Sequence, residues 1–157
     1  MMDRFAIILD ELGALIDVPL HPDHLRACSL FINNAMHIQL REEETKERIL
    51  ISAFLGELPP GKFQEILLKE TLKENNLFPR VGTFCYSSRN NQLAFFTYAS
   101  LIGLNGDIFA DVLELFLDRA FSWKTALETG QIPPRGQNLL KTGPSIFDVQ
   151  SKNLPKS

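Results

Sequence analysis

The chain has 157 residues, 45% of them apolar and 22% charged, with a formal net charge of -3. That is room for one domain with its own core and an ordinary soluble composition. Residues 1–130 hold 12 Lys/Arg against 18 Asp/Glu while residues 131–157 hold four against one, so the body is acidic, which argues against a nucleic-acid partner.

No apolar stretch approaches the length of a membrane span. The opening MMDRFAIILDELGALIDV lacks a basic start, a continuous apolar run and a cleavage pattern, so it is not read as a signal peptide and a cytoplasmic protein is expected. Two cysteines cannot staple a domain of this size, and Cys28 and Cys85 read as buried, reduced thiols. Phe is over-used, at 12 copies against two Tyr and one Trp, which points to a deep core or an apolar contact surface.

In chain order, residues 3–17 predict a helix. Phe5, Ile8, Leu9, Leu12, Leu15 and Ile16 form one stripe, Asp3 stands at the start and Pro19 stops it. After a loop at 20–25, residues 26–32 predict a strand with Cys28, Leu30 and Ile32 on one face and Phe31 on the other. Asn33-Asn34 is a turn, and Met36, Ile38 and Leu40 alternate with polar residues in a second strand. Glu42 to Lys46 reads as a polar loop. Ile49 to Leu55 predicts a third strand, apolar on both faces. Pro59-Pro60-Gly61 opens a second helix over 61–74. Phe63, Ile66 and Leu67 make one of its apolar faces, and Leu68 and Leu72 another, which calls for a second packing partner. Strands are expected at 81–87 and 92–101 around Arg89-Asn90-Asn91, the second again apolar on both faces. Asn105-Gly106-Asp107 starts a long helix to about Leu127, with the stripe Phe109, Val112, Leu113, Phe116, Ala120, Trp123 and Leu127, and Gly130 as its stop.

The fold expected is α+β: a five-stranded twisted antiparallel sheet and three helices in the order α-β-β-β-α-β-β-α. Residues 1–133 form the domain and 134–157 a flexible basic tail. A sheet covered on one face should alternate apolar and polar. Phe31, Leu50, Phe54, Phe96 and Tyr98 break that rule on what should be the wet face, so a helix, a second subunit or a ligand chain must cover them.

Motifs for chemistry are weak. His21, His24 and Cys28 supply too few ligands for a zinc site. Pro59 to Lys62 lacks the rest of a phosphate-binding loop. Glu42-Glu43-Glu44 reads as a solvated acidic run. No nucleophile stands near a histidine in a strained elbow, and no dinucleotide fingerprint is present. No enzyme, metal site or cofactor is expected.

Several strings in this order resemble the class I type III secretion chaperones, the CesT/SycE family. They are Phe5 to Gly13 followed by Pro19, Leu55 to Pro59 before the second helix, Gly82, Phe84 and Tyr86 with Gln92-Leu93, and Ala120 to Trp123 followed by Gly130 to Pro133. The tail goes beyond the family pattern. The resemblance implies a cytoplasmic homodimer without enzymatic activity. It would bind the extended N-terminal chaperone-binding segment of a secreted effector and hold it until the secretion ATPase complex takes it. It also implies dimer contacts by Phe63, Leu68, Leu72 and Phe84, and effector contacts by Ile7, Phe31, Phe54, Phe96 and Tyr98. Core packing is the plain alternative for each of these residues. A regulatory adaptor of the same fold, pairing with another chaperone subunit, is a second reading. A third is a ligand-binding or enzymatic α+β domain, which would need a polar cluster in a cavity.

Overall fold

Asp3 sits in extended backbone and its carboxylate accepts the Ala6 N–H at 3.1 Å, so the first helix begins on a side-chain cap. The computed structural model describes residues 3–78 and 80–133. Helix α1 (Arg4–Ile16) buries Phe5, Ile8, Leu9, Leu12 and Ile16. It ends where Asp17 turns left-handed at φ 59 and Val18 donates to the Gly13 carbonyl at 3.0 Å. A Cβ on Gly13 would stand 2.5 Å from the Val18 oxygen. This tight exit therefore depends on a residue with no side chain.

The strands are β1 (Ala27–Ile32), β2 (Met36–Glu43), β3 (Arg48–Glu57), β4 (Thr83–Ser87) and β5 (Gln92–Ser100), with α2 (Lys62–Glu74) between β3 and β4 and α3 (Gly106–Thr129) at the end. All neighbours are antiparallel and the spatial order is β1-β2-β3-β5-β4. Asn33 and Asn34 both take φ 52, and Ala35 donates to Ile32 at 3.0 Å, the left-handed pair that suits a hairpin turn. Glu42 and Glu43 extend β2 instead of forming the expected loop; Glu42 pairs with Ile49 and Glu43 with Arg48. A register shift between Phe54 and Gly56 bends β3 where it passes β5.

Residues directly opposite in a sheet share a face. Leu30, Ile38, Ala53, Phe95 and Phe84 lie in one such row, all of them buried in the core with the apolar sides of α1 and α3. Phe95 stacks on Phe116 at 4.9 Å, and Phe84 lies 4.4 Å from Phe95 and 5.1 Å from Trp123. Helix α3 buries the expected Phe109, Leu113, Phe116, Ala120 and Trp123, with Leu117 and Ala126 in place of Val112 and Leu127, which are only half-buried. One side chain ties the two helices: the Glu11 carboxylate accepts the Gly106 N–H at 2.6 Å.

In α2 the protomer buries Leu67 and Thr71 fully and Phe63 and Leu68 partly. Ile66 and Leu72 face outward. The helix thus has a core side, but it is not the Phe63–Ile66–Leu67 grouping expected from periodicity. The region 134–157, expected as a tail, lies outside the described residues.

Candidate peptide-binding surface

The second face of the sheet gathers the aromatic residues that alternation marks as misplaced. Leu50 lies opposite Tyr98, Ser52 opposite Phe96 and Phe54 opposite Ala94. Phe31 lies opposite His37, with ring centroids 6.5 Å apart. Phe31 and Phe54 are 54% and 56% exposed. Phe96 and Tyr98 meet edge to face at 5.8 Å, and the Arg48 guanidinium lies 3.6 Å over the Tyr98 ring. Arg48 is itself held by Glu43. The result is an aromatic platform with an ion-paired guanidinium at one end.

Four of the five effector-contact candidates, Phe31, Phe54, Phe96 and Tyr98, therefore share one face. Ile7 does not join them. It is half-buried on α1, on the other side of the sheet.

The two sheet edges differ. Arg26 pairs inward, its carbonyl accepting from Glu42 at 3.0 Å, so by alternation Ala27, Ser29 and Phe31 turn their backbone groups outward. Ala27 is closed by Asp23, whose carboxylate takes the Ala27 N–H at 3.0 Å and whose own N–H donates to the Ala27 carbonyl at 2.8 Å. Among the described residues nothing closes Ser29 and Phe31 on that side. At the far edge Asn75 brackets Phe84, accepting its N–H at 2.8 Å and donating to its carbonyl at 3.0 Å. An extended chain can thus add beside β1, next to the exposed Phe31.

The dimer candidates divide as well. Leu72 is 67% exposed, Phe63 and Leu68 are half-buried against their own core, and Phe84 is 6% exposed between Phe95 and Trp123. Periodicity put Ile66 on the core side of α2 and missed Leu77 and Phe78; all three are exposed beside Leu72 in sequence, and Phe78 is 79% exposed, with Arg80 5.3 Å from its ring. An apolar pair just after a helix end was the available signal.

No catalytic arrangement stands on these surfaces. Burial pushes the Cys28 thiol up from its ordinary value, and Cys85, expected to be buried, is exposed at the strand surface with its thiol also raised by partial desolvation, the opposite of what a thiolate nucleophile requires. Among the described residues no three His, Cys, Asp or Glu side chains gather to hold a metal ion, and no helix is long and apolar enough to cross a membrane.

The chain belongs to the Tir chaperone protein (CesT) family, whose pattern matches residues 7–124. That is a family of chaperones, not enzymes. No curated protein matches the sequence. Among solved structures, the fold is similar to a chain of the HopA1–SchA chaperone–effector complex, with TM-score 0.65 and 18% identity over 80% of this chain and 100% of that one. It is also similar to a chain in the complex of the Yersinia pestis type III secretion chaperone SycH with a fragment of YscM2 (TM-score 0.62, 17% identity, 74% of this chain and 97% of that one). A third is a chain of the ExoT–SpcS complex of Pseudomonas aeruginosa (0.59, 18%, 77% and 97%). At these identities the likeness is one of fold.

Proposed function

We propose that this protein is a cytoplasmic type III secretion chaperone. As a homodimer it binds the N-terminal segment of a secreted effector in extended form and keeps it soluble and competent for secretion. The observation that carries this is the aromatic platform of the exposed Phe31, Phe54 and Tyr98 with the half-buried Phe96, ending at an open strand edge. An added strand takes main-chain hydrogen bonds from Ser29 and Phe31 and lays alternate side chains on apolar surface. Two of the solved structures similar in fold are a chaperone–effector complex and a type III secretion chaperone with a fragment of another chain, which agrees with that use. Residues 1–133 form the chaperone domain in this reading, and the secretion ATPase complex is the later recipient of the cargo.

The test starts from the dimer purified from its own cells. The secreted protein that co-purifies is identified, its protected N-terminal segment is made as a peptide, and binding is measured by calorimetry. Phe96→Asp and Phe54→Asp should each weaken that peptide by about tenfold or more, since each places a charge in an apolar contact, with the mass in solution unchanged. Equal affinity for wild type and both variants would remove the sheet face from the binding surface.

A further inference from the structure

Strand β1 offers a narrow window to an added strand. Backbone groups of alternate residues point to the same side of a strand, so Cys28, Leu30 and Ile32 bond inward to β2 while Ser29 and Phe31 face out. At one end Asp23 brackets Ala27. At the other, the chain leaves the strand after Ile32 into the left-handed pair Asn33 and Asn34. Two outward residues remain, and an antiparallel strand fills both with residues two apart in its own sequence. Antiparallel is the sense of every pair in this sheet, and parallel pairing is slightly weaker. A strand running in that sense passes Phe31 before Ser29.

The two positions differ in chemistry. Residues directly opposite share a face, so both incoming side chains lie on the aromatic side of the sheet. The one opposite Phe31 meets an exposed ring with His37 behind it. An apolar side chain there removes apolar area from water. The one opposite Ser29 meets a polar row, in which Ser29 faces Gln39 and Gln39 faces Ser52. Among the described residues, none of these three side chains makes a hydrogen bond. Serine is short, which leaves room for the Gln39 amide to reach over it toward the edge. An aliphatic side chain laid there would cover hydroxyl and amide groups without pairing them, which is unfavourable. A Ser, Thr, Asn or Gln side chain supplies the missing donors and acceptors.

We propose that the segment added beside β1, on the chaperone reading above, carries a large apolar residue followed two positions later by Ser, Thr, Asn or Gln. The first stands opposite Phe31 and the second opposite Ser29. Ser29 and Gln39 then set the specificity of the edge, and the order of the pair sets the direction of the bound chain. The chaperone reading by itself asks only for apolar side chains in an extended segment.

A phage library of random twelve-residue peptides is selected on the full-length protein. Enriched peptides should share an apolar residue with a hydroxyl or amide residue two places on. A synthetic copy with that pair exchanged should bind wild type about tenfold more weakly in calorimetry, since both cross-strand pairs are lost. Selection on Ser29→Val/Gln39→Val should replace the second residue by an aliphatic one. Ser29→Pro removes an outward N–H that β2 does not use, at a place where an edge strand tolerates proline. It should weaken the selected peptide about tenfold with the far-ultraviolet circular dichroism unchanged. No enrichment, equal binding of the exchanged peptide, or an unaltered second residue in the valine selection would overturn the ordered pair. The secreted protein that co-purifies tells this failure from that of the chaperone reading. If Phe54→Asp weakens its binding and Ser29→Pro does not, the chaperone reading stands and the edge pattern falls. If neither weakens it, both fall.

Discussion

Arg26 lies just before β1 with left-handed backbone at φ 59. Its guanidinium donates to both carboxylate oxygens of Asp3 at 2.6 and 2.7 Å and to Glu42 at 2.8 Å. One planar fork thus ties the start of α1 to β2. Asp3 does two jobs, capping the helix and facing this fork. The Arg26 hydrogen bonds, with the Ala6 N–H next, hold its carboxyl down at about 2, against an ordinary 3.8. A folded-state value below the unfolded one means that the contribution is complete above about pH 4 and is lost as the pH falls through about 2. The ion pair is substantially exposed, and exposed pairs contribute little, whereas a lost cap costs about 1 kcal/mol. Asp3→Ala should therefore lower stability by about 1 kcal/mol in urea unfolding at pH 7, while Asp3→Ser, which keeps the cap, stays close to wild type. A carbon-detected NMR titration of Arg26→Ala should show the Asp3 carboxyl moving back up toward 3.8. A loss for Asp3→Ser equal to that for Asp3→Ala would make the ion pair, not the cap, the stabilising element.

At the scale of elements, α1 and α3 meet at Gly106. A Cβ there would stand 2.5 Å from the Glu11 Cβ and 3.1 Å from the Glu11 carbonyl carbon. Helix propensity favours Ala over Gly by about 1 kcal/mol, yet overpacking costs about 1–3 kcal/mol, and here the neighbour is backbone as well as side chain. Gly106→Ala should thus lower the urea midpoint. A raised midpoint would mean the joint is looser than the geometry shows. Such a contact is invisible to a reading of periodicity, because Glu11 and Gly106 are 95 residues apart. The element order itself was legible, since each helix and strand carries its own apolar repeat. So was the platform: Phe31, Phe54, Phe96 and Tyr98 break alternation within their own strands. Phe84 was harder. In the five-residue β4 the burial pattern hardly repeats, and only its ring contacts with Phe95 and Trp123 show which way the side chain points. The faces of α2 were misjudged for a related reason. Phe63, Ile66, Leu67, Leu68 and Leu72 spread around most of the helix, and the buried Thr71, which donates to the Leu68 carbonyl at 2.8 Å, looks like a surface residue in a sequence.

For the whole molecule, the outward residues of α2 and the turn after it, Ile66, Leu72, Leu77 and Phe78, are apolar surface that one protomer leaves uncovered. In a two-fold assembly the same patch meets its own copy. Leu72→Glu should place two charges in that contact and bring the light-scattering mass from twice 17.8 kDa to 17.8 kDa with the far-ultraviolet circular dichroism unchanged. A dimer of unaltered mass would put the contact elsewhere. Asn75, at the end of α2, sets a different limit on assembly. Because its amide already fills the outer hydrogen-bonding positions of Phe84, a strand arriving at the β4 edge would have to displace it to pair at that residue. Head-to-tail pairing grows fibres where the repeat does not close into a ring. A sheet free along β1 and guarded at Phe84 offers an arriving strand one edge at no cost and another only after two hydrogen bonds are given up.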